Sequence, residues 1–529
     1  MENTPISLTT IVTFLPIAGL IVVLFINRER EDIIRWVTLG TAVITFLASL
    51  GMVAAFDASN PGLQLETYYN WIPGFNISYH VAVDGLSMLL VLLTTFIMPL
   101  AVLASFDPIK ERVKLYYCML LLIETAMLGV FVTQDLFLFY IFWEFTLVPM
   151  YFLIGIWGSE NRVYAAIKFF LYTMAGSILM LLAILWLGVN GDTFNLPTLL
   201  EKLASGALVF PEGVEVLLFI GFFAAFAVKV PLWPFHSWLP DAHYEAPTAG
   251  SVILAGVLLK LGTYGFVRFN LPLFPQASID LAPVVAALAV IGILYGAWVS
   301  YAQKDVKKLV AYSSVSHLGF VMLGIFALNA QGVQGGIMQM VNHGLSTGGL
   351  FLLVGMLYER RHTKLMADFG GIWKVMPLFG ALSLIIVLSS MGLPGLNGFV
   401  GEFTILLGSM GSNFLAVGFT VFAAVGVILA AVYMLYMFGK VYMGPVIHPE
   451  NERLPGLDWK EVAVLVPLII MIFWIGLYPT PFFGMMDSSV DALVTPYTAP
   501  GGSVTAAPEL APAPVAAGEA ASVGLAPGY

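Results

Sequence analysis

Runs of about twenty apolar residues recur along the chain, parted by short polar clusters, and each is long enough to cross a hydrocarbon core about 30 Å thick. The pattern predicts about fourteen transmembrane helices, at 6–26, 34–56, 84–106, 115–133, 136–157, 165–189, 214–237, 248–269, 281–302, 309–327, 333–358, 377–407, 414–443 and 461–481. The expected fold class is all-α and polytopic.

The basic residues test this division, because short loops rich in Lys and Arg stay cytoplasmic. Alternate loops hold Arg28, Arg30 and Arg35; Lys110, Arg112 and Lys114; Arg162 and Lys168; Lys304, Lys307 and Lys308; Arg360, Arg361, Lys364 and Lys374; and Lys440, Arg453 and Lys460. That places 18 of the 22 basic residues on one side against Lys202 and Arg268 on the other, with Lys229 and Lys260 inside spans. Both termini are therefore expected outside, in a bacterial cytoplasmic membrane. Met1–Thr10 carries no basic residue, so the first apolar run reads as a retained span rather than a signal peptide.

The division gives N-terminal helices over 1–106, a first unit over 107–270, a second over 271–445, a last helix within 446–485 and a low-complexity tail over 486–529. Residues 57–83 read as a long external loop whose Tyr68, Tyr69, Trp71 and Tyr79 suit an interfacial cap. From Pro496 to Tyr529, 21 of 34 residues are Pro, Ala or Gly, a composition that cannot bury a core and predicts disorder.

Composition narrows the chemistry. Of the 529 residues 59% are hydrophobic and 10% charged, which excludes a water-soluble enzyme. Cys118 is the single cysteine, too few for an iron–sulfur cluster, a zinc finger or a disulfide framework, and no metal site is expected. No glycine-rich phosphate loop follows a strand pattern, and a net charge of −10 does not suggest nucleic acid. No cofactor is expected in this chain.

Against this background a few ionisable groups stand out, because one at the bilayer centre costs at least about 2.5 kcal/mol and needs a partner, a hydrated cavity or a function. Glu144 lies in Phe139-Tyr-Ile-Phe-Trp-Glu144, Lys229 in Ala227-Val-Lys229-Val-Pro231, Lys260 in Gly256-Val-Leu-Leu-Lys260 and Glu402 in Gly398-Phe-Val-Gly-Glu402. One such group alone reads most simply as a snorkelling or paired structural charge. Two carboxylates and two amines in separate spans are the inventory of a proton relay, since burial and an opposite charge pull a lysine's proton affinity in opposing directions. His317 and His343 fall within predicted spans, and imidazole passes protons near neutral pH. Each reads either as a further step or as a hydrogen-bonded core residue. His236 and His243 lie nearer a membrane edge, where gating an entrance and capping a helix end are both open. Glu124 and Asp135 stay open between relay and packing.

Two spans are interrupted. Pro231 and Pro234 remove backbone donors just after Lys229, and Gly392-Leu-Pro394-Gly395 does the same eight residues before Glu402. Broken backbone at membrane depth is tolerated where it lines protein or water. The breaks fall in the seventh and twelfth helices, five spans apart, so helices 4–8 and 9–13 are expected to be two inverted five-helix repeats with discontinuous members in matching places. The competing explanation is that Pro and Gly are frequent in membrane helices generally.

The motifs Val83-Asp-Gly-Leu-Ser87, Leu136-Phe-Leu-Phe-Tyr-Ile-Phe-Trp-Glu144, Leu147-Val-Pro-Met-Tyr-Phe-Leu153 and Phe226-Ala-Val-Lys229-Val-Pro231 follow one another along the chain. His236-Ser-Trp-Leu-Pro-Asp-Ala-His243, Glu245-Ala-Pro-Thr-Ala-Gly-Ser251, Ser314-Val-Ser-His317-Leu-Gly and Gly395-Leu-Asn-Gly-Phe-Val-Gly-Glu402 continue them. Together they resemble the antiporter-like proton-pumping subunit of respiratory complex I, called NuoM in bacteria and chain 4 in mitochondria, over almost all of the chain before residue 485. The resemblance implies that Glu144 and Lys229 form a modulating ion pair and that Lys260 is the central protonatable residue. It implies also that His317 and His343 continue a polar axis and that Glu402 stands at the exit, with His236 a further candidate. It implies sister antiporter-like subunits as partners, with NADH, FMN, iron–sulfur clusters and quinone held by other subunits. Three rivals use the same residues or none of them: a subunit of a multi-subunit sodium/proton antiporter, a subunit of a hydrogenase or ferredoxin-driven complex, and a structural spacer between pumps.

Overall fold

The computed structural model describes residues 4–498. Among these, eleven helices are long and apolar enough to cross a membrane, and the expected spans fall on helices, except that 214–237 ends eight residues earlier at Lys229, 281–302 starts six earlier at Pro275 and 377–407 is split in two. The three spans outside that set are short or broken: Met88–Ala104, Val214–Lys229, and the pair Pro377–Ser390 and Asn397–Met410.

Burial sorts the helices into a core and a lipid-facing shell. The Thr248–Leu273 and Ala330–Arg361 helices are buried along the whole of their most apolar window, whereas Leu8–Phe25, Arg162–Gly191, Val417–Val441 and Trp459–Leu477 are buried over 28–39% of theirs. Lipid is as apolar as Leu, so the outer helices need no amphipathic stripe, and polar side chains collect on the central two. Threonines and serines inside the bundle bond back to carbonyls three or four residues earlier, as Thr94 does to Leu90 at 2.7 Å.

The helices at the two breaks stop where the prolines dictate. The Val214–Lys229 helix ends at Lys229, and a short Trp238–Glu245 helix resumes after a turn. The Ala227 carbonyl, deprived of an N–H at Pro231, accepts instead from Leu232 N at 2.8 Å. On the other side Pro377–Ser390 and Asn397–Met410 are parted by Met391–Leu396, whose Gly392 and Gly395 have positive φ.

Three expectations are corrected. The external segment 57–83 is not simply a loop. Gln64–Ile72 and Ile77–Val83 form an antiparallel hairpin turned at Pro73–Asn76, with Tyr69 opposite Tyr79 and Tyr68 opposite His80, so the fold is all-α apart from this ribbon. The expected tail begins too early at 486. A helix runs over Thr480–Thr498 and buries Met486, Val490, Val494 and Tyr497, while residues 499–529 lie outside the described ones. Finally, Lys307 is not a loop charge, and Arg268, counted with the external side at the end of the eighth span, is a buried charge. Arg268 is 7% exposed inside the Thr248–Leu273 helix, and Lys307 is 6% exposed at the start of Val306–Ile325, where it donates to the Ala246 carbonyl at 2.6 Å.

Candidate functional site

Lys229 is the last residue of its helix and is 1% exposed. Its ammonium donates to Thr146 Oγ1 at 3.2 Å and lies 5.3 Å from the Trp143 ring and 5.7 Å from the Phe169 ring. A cation against aromatic faces keeps part of its stabilisation away from water. Trp143 is itself fixed by its Nε1–H bond to Ser177 Oγ at 2.9 Å. Glu144, half-buried, faces a groove lined by Phe137, Tyr140, Ile141, Phe145 and Val148. No ion pair within 4 Å joins Glu144 to Lys229 among the described residues, so the two groups share a neighbourhood without touching.

Lys260, fully buried, sits on the most irregular part of the bundle. Wide π turns at Leu254–Leu258 and Phe266–Asn270 flank the α-helical Leu259–Gly265 segment that carries it. Such turns leave a carbonyl free of the usual i→i−4 ladder. The Lys260 ammonium uses one, donating to the Ala255 carbonyl, and also donates to His343 Nδ1 at 2.7 Å. The neighbouring helices reach this contact because Gly344 has no side chain: a Cβ there would lie 2.8 Å from the Gly256 carbonyl.

Accepting from Lys260 fixes the proton of His343 on Nε2, which is buried without a partner. The His343 and His317 rings lie 5.9 Å apart. His317 Nδ1 donates to Glu402 Oε1 at 2.7 Å, and its Nε2 meets the Tyr433 hydroxyl at 3.1 Å. Gln339 Nε2 adds a second donor to Glu402 Oε1 at 3.0 Å, leaving Oε2 unpartnered. Lys260, His343, His317 and Glu402 therefore form one buried polar line on three helices and the second part, Asn397–Met410, of a broken fourth. All four are at most 3% exposed.

The other candidates separate by environment. His236 is 6% exposed with its ring 5.0 Å from Tyr295. His243 is fully buried, stacked on Phe351 at 4.4 Å, and neither ring nitrogen has a partner. Asp135 caps the Leu136 helix, accepting from the backbone of Phe137 and Leu138 at 3.0 and 3.1 Å and from Ser78 at 2.9 Å; burial pushes its carboxyl up. Glu124 is fully buried with both oxygens unpartnered.

Sequence reading missed the network that holds the second break. Asn397 Oδ1 accepts from Ser389, Asn342 donates to the Asn397 carbonyl at 2.7 Å, and Ser346 and Ser389 share a bond of 2.6 Å. The signal was available, since Asn342 and Ser346 flank His343 one helical turn apart. Among the described residues no three His, Cys, Asp or Glu side chains converge as metal ligands.

This fold, two broken helices around a buried polar core, is that of a class of antiporter-like membrane subunits. The family model described as "NADH:quinone oxidoreductase/Mrp antiporter, TM" matches residues 133–431, and that of "NADH-ubiquinone oxidoreductase chain 4, amino terminus" matches 11–131. The NADH-quinone oxidoreductase subunit M of Rhodobacter capsulatus is 43% identical over 95% of this chain and 99% of its own length. Chain 4 of NADH-ubiquinone oxidoreductase from Marchantia polymorpha is 42% identical over 91% of this chain and 95% of its own. A chain in the structure of respiratory complex I from Thermus thermophilus with bound NADH superposes with a TM-score of 0.83 at 31% identity, covering 92% of this chain and 99% of that one. The chain belongs to the subunit M (NuoM, chain 4) family.

Proposed function

We propose that this chain is the proton-translocating membrane-arm subunit of an NADH:quinone oxidoreductase, moving protons outward while NADH oxidation and quinone reduction proceed in companion subunits. The buried line Lys260–His343–His317–Glu402 carries the reading: two hydrogen-bonded pairs, each joining a donor to an acceptor that titrates, with the rings of the middle two 5.9 Å apart. The Lys260 ammonium gives a proton to His343 Nδ1 and becomes a neutral amine. His343 releases its Nε2 proton across a gap that a bridging water or a ring rotation spans. His317 takes it on Nε2 and gives its Nδ1 proton to Glu402. Lys229 reloads Lys260, and the charge of Glu144 sets when it does so.

The organisation proposed with it is two inverted units, 107–270 and 271–445, after the N-terminal helices of 1–106. Both termini face the outside of a bacterial cytoplasmic membrane. The chain supplies no redox centre: NADH, FMN, iron–sulfur clusters and quinone belong to partner subunits, and its class is that of a translocase. The match of residues 11–131 to the chain 4 amino terminus favours this over a free-standing sodium/proton antiporter. The test is proton-to-electron stoichiometry of the assembled complex in vesicles. Lys229→Ala, Glu144→Ala and Lys260→Met each lose most coupled pumping while the complex still assembles; near-normal stoichiometry in Lys260→Met removes the relay.

A further inference from the structure

The motif Val83-Asp-Gly-Leu-Ser87 has no part in the relay, yet its aspartate is 4% exposed. Asp84 Oδ1 accepts from Arg268 Nη2 at 2.6 Å, from the backbone N–H groups of Leu86 and Ser87 at 3.1 and 3.2 Å, and from Ser87 Oγ at 3.3 Å. Arg268 lies eight residues beyond Lys260, about 12 Å along an ideal helix, in the second π turn. Its Nε donates to the Tyr264 hydroxyl at 2.9 Å, and that hydroxyl donates to the Phe131 carbonyl at 2.8 Å. No polar atom of Asp84, Tyr264 or Arg268 is a buried orphan, in contrast to the unpartnered atoms of His343, Gln339, Asn342 and Glu402.

The surroundings are dry on one side and capped on the other. Phe269 packs 4.3 Å from Phe139 and Phe266 5.5 Å from Phe226. Beyond the pair the Thr480–Thr498 helix closes over the motif, with Ser489 Oγ accepting from Gly85 N at 3.0 Å and the Tyr497 hydroxyl donating to the Leu271 carbonyl at 2.7 Å.

We infer that the Asp84–Arg268 pair is an outer seal on the Lys260 helix, blocking passive proton exchange between Lys260 and the outside so that protons leave only through the second unit. A guanidinium does not give up its proton in a protein and cannot relay one. Held against it at 2.6 Å, Asp84 has Oδ1 committed to the ion pair and to the Leu86 and Ser87 N–H groups. The Tyr264 proton is committed to a carbonyl that cannot pass it on. The side chains described here between Lys260 and the outer cap are thus apolar or committed to a hydrogen bond or ion pair. The inference rests on the proposed relay through Lys260 and on the outside placement of Leu273.

The test is passive proton leak in vesicles holding the whole complex, with no NADH or quinone, read as decay of an imposed pH gradient. Arg268→Gln frees the Asp84 carboxyl to bind and release protons, and the leak rises about tenfold, as a barrier lowered by ~1.4 kcal/mol would give. Asp84→Asn/Arg268→Gln has no titratable group at the site and returns to the tightness of the unaltered complex. A merely structural pair gives the opposite order, with the double variant the leakier. Should Arg268→Gln not assemble, Arg268→Lys serves, since an amine can deprotonate and the leak rises. An Arg268→Gln complex as tight as the unaltered one, or a double variant as leaky as the single, overturns the seal. Pumping retained in Lys260→Met overturns the relay instead, so the two failures are distinct.

Discussion

A single methyl group at Gly401 tests whether the contact between the Ala330–Arg361 and Asn397–Met410 helices is what aims Glu402. A Cβ there would lie 2.4 Å from Gln339 Oε1, 2.9 Å from Asn342 Nδ2 and 3.0 Å from Gln339 Cα, against an ordinary contact of 3.4 Å or more. The Gln339 amide must retreat by about 1 Å, which stretches its 3.0 Å bond to Glu402 beyond hydrogen-bonding range. Its Cα cannot retreat without parting the helices. Overpacking costs about 1–3 kcal/mol, and losing a hydrogen bond to a charged acceptor a further ~1.5–3 kcal/mol. Glu402 keeps the His317 bond at 2.7 Å, so the expected functional result is a reduced proton-to-electron ratio rather than its loss. The assay pairs the thermal midpoint of the purified complex with pumping in vesicles, for Gly401→Ala, Gln339→Ala and both together. Because Gln339→Ala removes both the obstructing amide and the bond, Gly401→Ala should cost less than half as much in that background. Additive effects would refute the reasoning, since neighbours that share a contact do not add.

Two further outcomes follow from the surface. Arg360 grips Glu461 with both terminal nitrogens, at 2.5 and 2.6 Å, and donates to the carbonyls of Pro455 and Gly456; Arg360→Lys loses the fork and about 1–3 kcal/mol of stability, read as a lower thermal midpoint of the purified complex in mild detergent. On the hairpin, His80 Nε2 lies 2.8 Å from Glu66 Oε1 and holds the Glu66 carboxyl below its usual value of 4.5. A depressed carboxylate contributes stability that is present above the unfolded value and lost as pH falls through the lowered one. Stability of the unaltered complex therefore falls more steeply than that of Glu66→Gln as pH drops below about 4.5, and parallel acid limbs would show that the pair contributes nothing.

The spans were legible because apolar length is the strongest signal a membrane chain carries, and Pro231 and Pro394 marked the breaks by removing donors that no side chain replaces. Lys260 and Glu402 were legible for the same reason in reverse, as charges where lipid would not tolerate them. Arg268 was counted only as a charge on the external side at the end of the eighth span, because only the fold brings Asp84 across 184 residues to neutralise it. The C-terminal helix was readable and was overlooked: Phe482, Met486, Val490 and Val494 repeat every four residues, a helical stripe hidden by the Pro- and Ala-rich stretch that follows. The π turns around Lys260 left no mark in composition. They arise where Gly256 and Gly265 let the helix widen while packed on all sides, a property of the assembled bundle.

The separation of Glu144 from Lys229 bears directly on how pumping is timed. Lys229 is held by a hydroxyl and two aromatic faces, none of which titrates, so its environment is set by geometry and is the same at the start of each cycle. Glu144 stands between Trp143 and Thr146 on the Leu136–Trp157 segment, beside an apolar groove that opens on the outside of the bundle. Two unit charges ~3 Å apart at an effective dielectric of about 20 attract by roughly 5 kcal/mol, and doubling the separation halves that, a change of about a hundredfold in a proton equilibrium. In the proposed relay, a change of rotamer at Glu144 would thus be strong enough to hold or release the Lys229 proton with no movement of the helices, and it would act from a groove on the outside of the bundle while Lys260, His343, His317 and Glu402 are buried within it.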